Sequence, residues 1–201
     1  MTRRVELIFD FVSPNAYLAW WPLREIIRRT GSELDIYPVF LGGMHKLTGN
    51  APPMVRDAEI KGKNEYAMLE MRRFIAKHDL DRFRMNPAFP FNSIALQRML
   101  FAADQDGRGV QMVEALLPPI WEQEMDVNDM QAVRAALEAA KLDADDLIER
   151  AQTEEVKQGL IENTANAVTR GAFGIPTMFV GEEMFFGKER LGQIEEELEK
   201  G

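Results

Sequence analysis

The chain contains no cysteine. That excludes disulfides, thiolate metal sites and a cysteine nucleophile, so any thiol in its chemistry must come from a bound molecule. Basic charge is in deficit: 24 Lys and Arg stand against 33 Asp and Glu, a net charge of -9. An acidic surface argues against nucleic-acid or anionic-membrane binding, because both need basic surface. It does not exclude a small anion held in a local basic pocket. No apolar run approaches the ~18 residues of a membrane span. The opening MTRRVELIFDF has only a short apolar run containing Glu6 and Asp10, which reads as a strand and not a signal peptide. The default location is the cytoplasm. The two histidines, His45 and His78, have no metal-ligand spacing around them, so no metal site is expected.

Apolar residues make up 46% of 201 positions, enough to build a core for one compact unit or one domain with an insertion. Residues 4–12 read as a buried strand and 14–29 as an amphipathic helix, with Gly31 as its left-handed stop. Residues 33–41 read as a second strand, in which Pro38 points to an edge or a bulge. Strand, helix and strand make a βαβ unit, most simply with parallel strands. Gly42-Gly43 and the loop 48–53 mark a boundary. From 54 to 155 the pattern is helical, with Asn92 or Ser93, Asn128 or Asp129, and Asp143 as candidate caps. The proline- and aromatic-rich loop 85–91 reads as extended and packed. The tail returns to a helix over 155–170, strands at 174–180 and 183–186, and a last helix over 188–200. This is an α/β layout, a thioredoxin-like domain (βαβ…αββα) from 1–53 plus 156–201 with an inserted all-helical domain over 54–155.

Few residues stand out for chemistry. On the dipeptide alone, Ser13-Pro14 is an ordinary helix cap with proline pre-set in the first turn. The same geometry favours a bound anion, because a helix start presents free N–H groups and a positive dipole end. A thiolate there has a lowered pKa. Ile175-Pro176 is either a plain strand entry or, with a cis bond, a turn whose backbone faces outward to pair with an extended peptide ligand. Asn50 is a turn residue by context. Lys61 and Lys63 read as a solvated face, and Lys188-Glu189 as helix-start charge. Phe89, Phe91 and Trp121 read as packing, with the alternative of an apolar cavity for a flat substrate.

Six segments in series, FDFVSPNAYLAW (9–20), TGNAPP (48–53), KGKNEYAM (61–68), FPFNSIALQRML (89–100), GAFGIPTMFV (171–180) and FFGKERL (185–191), resemble the 2-hydroxychromene-2-carboxylate isomerases and the related kappa-class glutathione transferases. They span nearly the whole chain. The resemblance implies a DsbA-like thioredoxin fold with a helical insertion, and glutathione as cofactor. By the same resemblance Ser13 hydrogen-bonds the glutathione sulfur. Asn50 lies by the glutathione cysteine, and Lys63, with Lys61 as fallback, contacts the glycyl carboxylate. Ile175, before a cis Pro176, pairs through its backbone with the cysteinyl unit. Lys188 and Glu189 hold the γ-glutamyl group. The chain departs from the family pattern at Asn15 and Ala16, where an aromatic and a serine are common, and at Lys188 and Glu189, where a small polar residue and an aspartate are.

The activity so implied is glutathione-dependent cis-trans isomerisation of 2-hydroxychromene-2-carboxylate or a similar aromatic keto acid, in aromatic breakdown. The thiolate would add to a conjugated carbon, allow rotation and then leave. The resemblance also implies a homodimer. Alternatives are a kappa-class transferase that conjugates an electrophile, and a non-catalytic thioredoxin-like binding protein. A disulfide oxidoreductase fails on chemistry, since it needs a Cys-x-x-Cys pair.

Overall fold

A computed structural model describes residues 3–200. Its centre is β1 (Arg4–Phe9), whose Val5, Leu7, Ile8 and Phe9 are fully buried. β1 runs parallel to β2 (Glu33–Pro38), from Arg4 opposite Glu33 to Phe9 opposite Pro38. The connection is α1 (Pro14–Thr30), closed by Gly31 at φ 65°. On its other side β1 pairs antiparallel with β3 (Thr177–Val180), which pairs antiparallel with β4 (Glu183–Phe186), so the order is β2-β1-β3-β4. Pro38 therefore ends an edge strand, where its missing N–H costs no ladder bond.

Both first strands are shorter than the apolar runs suggest, and buried side chains explain why. Gln97 stands where a further strand residue would pair. Its Nε2 donates to the carbonyls of Phe9 (2.8 Å) and Val39 (2.7 Å), and its Oε1 accepts from the Phe11 N–H (3.2 Å). The Asp10 carboxylate accepts from Val12 N–H (3.0 Å) and Leu41 N–H (2.8 Å), turning both chains out of the sheet.

The expected boundary at Gly42-Gly43 lies instead inside a helix, α2 (Leu41–Thr48). A Cβ on Gly42 would come within 2.9 Å of the Phe40 ring, so glycine here permits close packing and does not break the helix. Then come α3 (Pro53–Arg56), α4 (Lys63–Lys77), α5 (Ile94–Gln105), α6 (Gly109–Glu122), α7 (Met130–Ala139), α8 (Ala144–Arg150) and α9 (Glu154–Thr169). Asp129, Asp143 and Thr153 cap α7, α8 and α9 through their side chains. Ser93 precedes α5 without a capping bond, while the Asn92 side chain accepts from Ile94 N–H. The loop 85–91 is pinned by buried Asn86, which donates to the carbonyls of Ile120 and Met125 at 2.9 and 3.0 Å. The chain ends with a 3-10 turn (Lys188–Arg190) and α10 (Leu191–Glu199). Buried side chains of the sheet, α1 and the helices of 94–150 form one apolar cluster. Among the described residues no helix is long and apolar enough to cross a membrane.

Candidate functional site

Ser13 sits where β1 hands over to α1. It is extended (φ -87°, ψ 113°), and its buried Oγ accepts from the Ala16 N–H at 3.2 Å, so the cap is real. The hydroxyl proton is used elsewhere: Oγ donates to the Ile175 carbonyl at 3.2 Å. Residues 162 positions apart in sequence thus meet at one oxygen. The Ile175–Pro176 bond is cis, as is Phe89–Pro90. The Ile175 carbonyl, which the sequence suggested would face outward, is turned onto Ser13. Its N–H has no partner among the described residues.

Two further segments converge on this turn. Asn50 follows Gly49, which ends α2 at φ 70°, and its Nδ2 donates to the Phe173 carbonyl at 2.7 Å. Its Oδ1 accepts from Ala51 N–H (2.9 Å) and, at the long limit of 3.5 Å, from Arg56. On the other side, Gly187 N–H donates to the Pro176 carbonyl at 2.9 Å, which fixes the turn carrying Lys188 and Glu189. Gly187 needs φ 94°, and a Cβ there would meet a Glu189 carboxylate oxygen at 2.8 Å. The Lys188 side chain is buried, pairs with the Glu189 carboxylate and lies 5.3 Å from the centre of the Phe74 ring.

Lys63 joins through an ionic clip. Asp57 accepts from Arg56 at 2.9 Å and pairs with Lys63 at 3.0 Å. Hydrogen bonds first from Arg56 and then from Lys63 hold its carboxyl well below the ordinary carboxylate range. Lys61 is exposed and has no bonded partner among the described residues. Ser13, Ile175, Pro176, Asn50, Lys63, Lys188 and Glu189 are thereby linked through hydrogen bonds, ion pairs and the short backbone stretches 173–176 and 187–189.

Asp10, Gln97 and Asp57 do not stand out in the sequence as site residues. Asp10 was legible only as a charge inside an apolar run. Gln97 and Asp57 carried no signal, because their partners lie far away in sequence or belong to a crowded charged stretch. Trp121, Phe89 and Phe91 do pack, with ring centres about 6 Å apart. Trp121 is fully buried and donates to the Phe11 carbonyl at 3.1 Å. Tyr17, one turn after Ser13, donates to Glu122 at 3.0 Å, and burial above all pushes its phenol pKa up. A crevice of about 450 Å³ runs between α1, α4 and α10 and reaches Lys188 and Glu189, but Ser13 does not line it. The Asn15 Oδ1 is buried without a hydrogen-bond partner.

Residues 4–199 match the family described as DSBA-like thioredoxin domain. The 2-hydroxychromene-2-carboxylate isomerase of Sphingobium xenophagum is 30% identical over 201 residues, covering 98% of this chain and 99% of that protein. Glutathione S-transferase kappa 1 of Rattus norvegicus is 26% identical over 202 residues, covering 94% and 88%. A solved 2-hydroxychromene-2-carboxylate isomerase shares the fold at a TM-score of 0.82, with 23% identity over 98% of this chain and 95% of its own. The isomerase and transferase relatives are enzymes by name, and the likeness runs end to end through every segment that meets at Ser13. The chain belongs to the DSBA-like thioredoxin domain family, as a relative of the 2-hydroxychromene-2-carboxylate isomerases and kappa glutathione transferases.

Proposed function

We propose that the protein is a glutathione-dependent isomerase of 2-hydroxychromene-2-carboxylate or a similar aromatic keto acid. The observation that carries the reading is the meeting of the Ser13 hydroxyl, at the head of α1, with the backbone of Ile175 in a chain without cysteine. Glutathione, when bound, supplies the nucleophilic thiolate that the chain lacks.

The residues present fit such a ligand. The unpartnered Ile175 N–H offers an acceptor site for an extended peptide. Lys63 and Arg56 offer positive charge for the glycyl carboxylate, and Lys63 is preferred over Lys61 because only Lys63 is tied to the Asn50 side of the site. Asn50, fixed by its bond to Phe173, would contact the cysteinyl unit. The Lys188–Glu189 pair has the two charges that complement a zwitterionic γ-glutamyl end. With glutathione bound, Ser13 would turn its proton from the Ile175 carbonyl toward the sulfur, and the positive end of α1 would stabilise a thiolate. Releasing the Ile175 carbonyl frees it to accept from a ligand N–H.

The domain division at 54–155, a homodimer and a cytoplasmic setting belong to the same proposal. Exposed Leu47, Met54, Val55, Ile60, Tyr66 and Met68 give the segment around α3 an apolar surface that a second copy would cover. A reducing compartment is where glutathione is available as a thiol.

The test is calorimetry with glutathione, followed by turnover assays on a panel of aromatic keto acids and electrophiles. Glutathione binding with isomerisation of a keto acid is expected. Conjugation of an electrophile without isomerisation would favour the transferase relatives. Failure to bind glutathione would leave a non-catalytic thioredoxin-like protein.

A further inference from the structure

Asp10 is a fully buried carboxylate that no cation among the described residues partners. Its two oxygens accept from two backbone N–H groups on different elements. One is Val12, in the turn that delivers Ser13. The other is Leu41, the first residue of α2. The Asp10 carbonyl accepts from the Ser13 N–H at 3.2 Å, so the turn is held from both its backbone and its side chain. α2 is eight residues long, about 12 Å at the usual rise. It is anchored by fully buried Met44, and it ends at the Thr48 hydroxyl, which accepts from Asn50 N–H at 3.3 Å. One carboxylate therefore ties together the two stretches of chain that carry Ser13 and Asn50.

We propose that Asp10 is a positioning residue that sets Ser13 and Asn50 in register across the glutathione site. It touches neither substrate nor cofactor. The inference rests on the proposed glutathione reading for its ligand measurement, but not for its structural one.

Burial, the largest cause, pushes the Asp10 carboxyl up to about 6. The N–H groups of Leu41 and Val12 oppose that rise. The Ser93 hydroxyl, which makes no hydrogen bond of ordinary geometry, opposes it least. No charged side chain of α1, α2 or α5 enters the shift. Protonation would neutralise the carboxylate and make one of its oxygens a weaker acceptor, loosening one of the two ties. Asp10→Asn does the same permanently while keeping the shape.

The experiment compares wild type with Asp10→Asn in two ways. Without ligand, amide exchange in D10N is expected to rise about tenfold at Val12 and Leu41 and, through α2, at Asn50 and Ala51. The wild type itself should show the same change as pH falls through about 6, once intrinsic exchange is corrected. With glutathione, the D10N dissociation constant at pH 7.5 is expected to be about tenfold weaker, and the ratio of the two proteins should shrink toward one at pH 5. A residue that only supports the core would give a ratio independent of pH. Faster exchange confined to Val12 and Leu41, with Asn50 and Ala51 unchanged, would overturn the proposal. Absence of glutathione binding in wild type would instead defeat the glutathione reading, and exchange alone would then decide the role of Asp10.

Discussion

Replacing Ser13 by alanine removes two things of different kinds. The first is structural. Oγ accepts from Ala16 N–H and donates to the Ile175 carbonyl, both at 3.2 Å and both buried. Losing a serine cap costs about 1 kcal/mol, and leaving a buried carbonyl without its donor costs about 1 kcal/mol more. For a domain of this size each kcal/mol lowers Tm by about 2–4 °C, so the variant should melt roughly 4–8 °C below wild type and stay folded at 25 °C. The second loss is chemical. A hydrogen bond to a charged group is worth about 1.5–3 kcal/mol, which predicts a fall of roughly 10- to 150-fold in turnover and a rise of about one to two units in the pKa of the bound thiol.

The assay is thermal unfolding alongside turnover and thiolate absorbance in the glutathione-saturated protein. Ser13→Thr separates the two effects, since threonine also caps and keeps the hydroxyl; it should recover most of the Tm and part of the turnover. An alanine variant that melts lower but turns over at the wild-type rate, with an unchanged thiol pKa, would reduce Ser13 to a cap and remove the catalytic reading.

Three further outcomes follow from the same geometry. Asn50→Ala, which deletes the 2.7 Å bond to Phe173, should weaken glutathione binding about tenfold and cost about 1 kcal/mol of stability, read by calorimetry and denaturant unfolding. Asp57 has a folded pKa far below its unfolded one, so its contribution is fully present above the ordinary carboxylate pKa and is lost only as pH falls through the depressed value. Glutathione affinity should therefore show no step assignable to Asp57 between pH 5 and 9, and a step that vanishes in Asp57→Asn would contradict the clip. Asp10 has the opposite sign: its folded pKa, about 6, lies above the unfolded value near 3.8, so ionisation disfavours folding above pH 6 and that penalty disappears as pH falls toward 4. A gap of about two units corresponds to roughly 3 kcal/mol. The stability of D10N relative to wild type should accordingly decline by an amount of that order from pH 8 to pH 4, measured by denaturant unfolding at each pH.

The parts of the fold legible in the sequence were those written in local patterns. Helix α1 showed itself through Ser13-Pro14 at one end and Gly31 at the other, the Asn128-Asp129 pair announced the start of α7, which Asp129 caps, and Asp143 that of α8. What misled was chemistry that local pattern cannot carry. Gly42-Gly43 looks like a boundary until both are seen inside α2, with the Phe40 ring filling the space where a Gly42 side chain would sit. The strand after Phe9 looks continuous until Gln97, 88 residues away, is found bonded to the Phe9 carbonyl. The candidate site divides in the same way. Ser13, Asn50, Ile175 and Lys188 were visible as motifs, but their coupling was not. It runs through Phe173, Gly187, Asp57 and Asp10, residues whose type says little and whose partners say everything.

The Ser13 hydroxyl also shows why capping and a catalytic role can coexist on one atom. A hydroxyl has one proton to donate and two lone pairs with which to accept. The cap uses a lone pair, for the Ala16 N–H; the proton goes to the Ile175 carbonyl. A thiolate needs only the proton. On the proposed reading the contest is therefore not between the helix and the ligand but between the Ile175 carbonyl and the sulfur, and the cap can persist throughout. Rotating the proton from one to the other would leave the Ile175 carbonyl unpaired beside an N–H that has no partner among the described residues, and those are the two groups an extended peptide satisfies. An extended peptide bound there would compensate the bond that its own sulfur displaces. Glutathione should accordingly bind with Ser13 and Ile175 acting as a unit. Any thiol lacking a peptide N–H to offer should bind more weakly than its sulfur alone would predict.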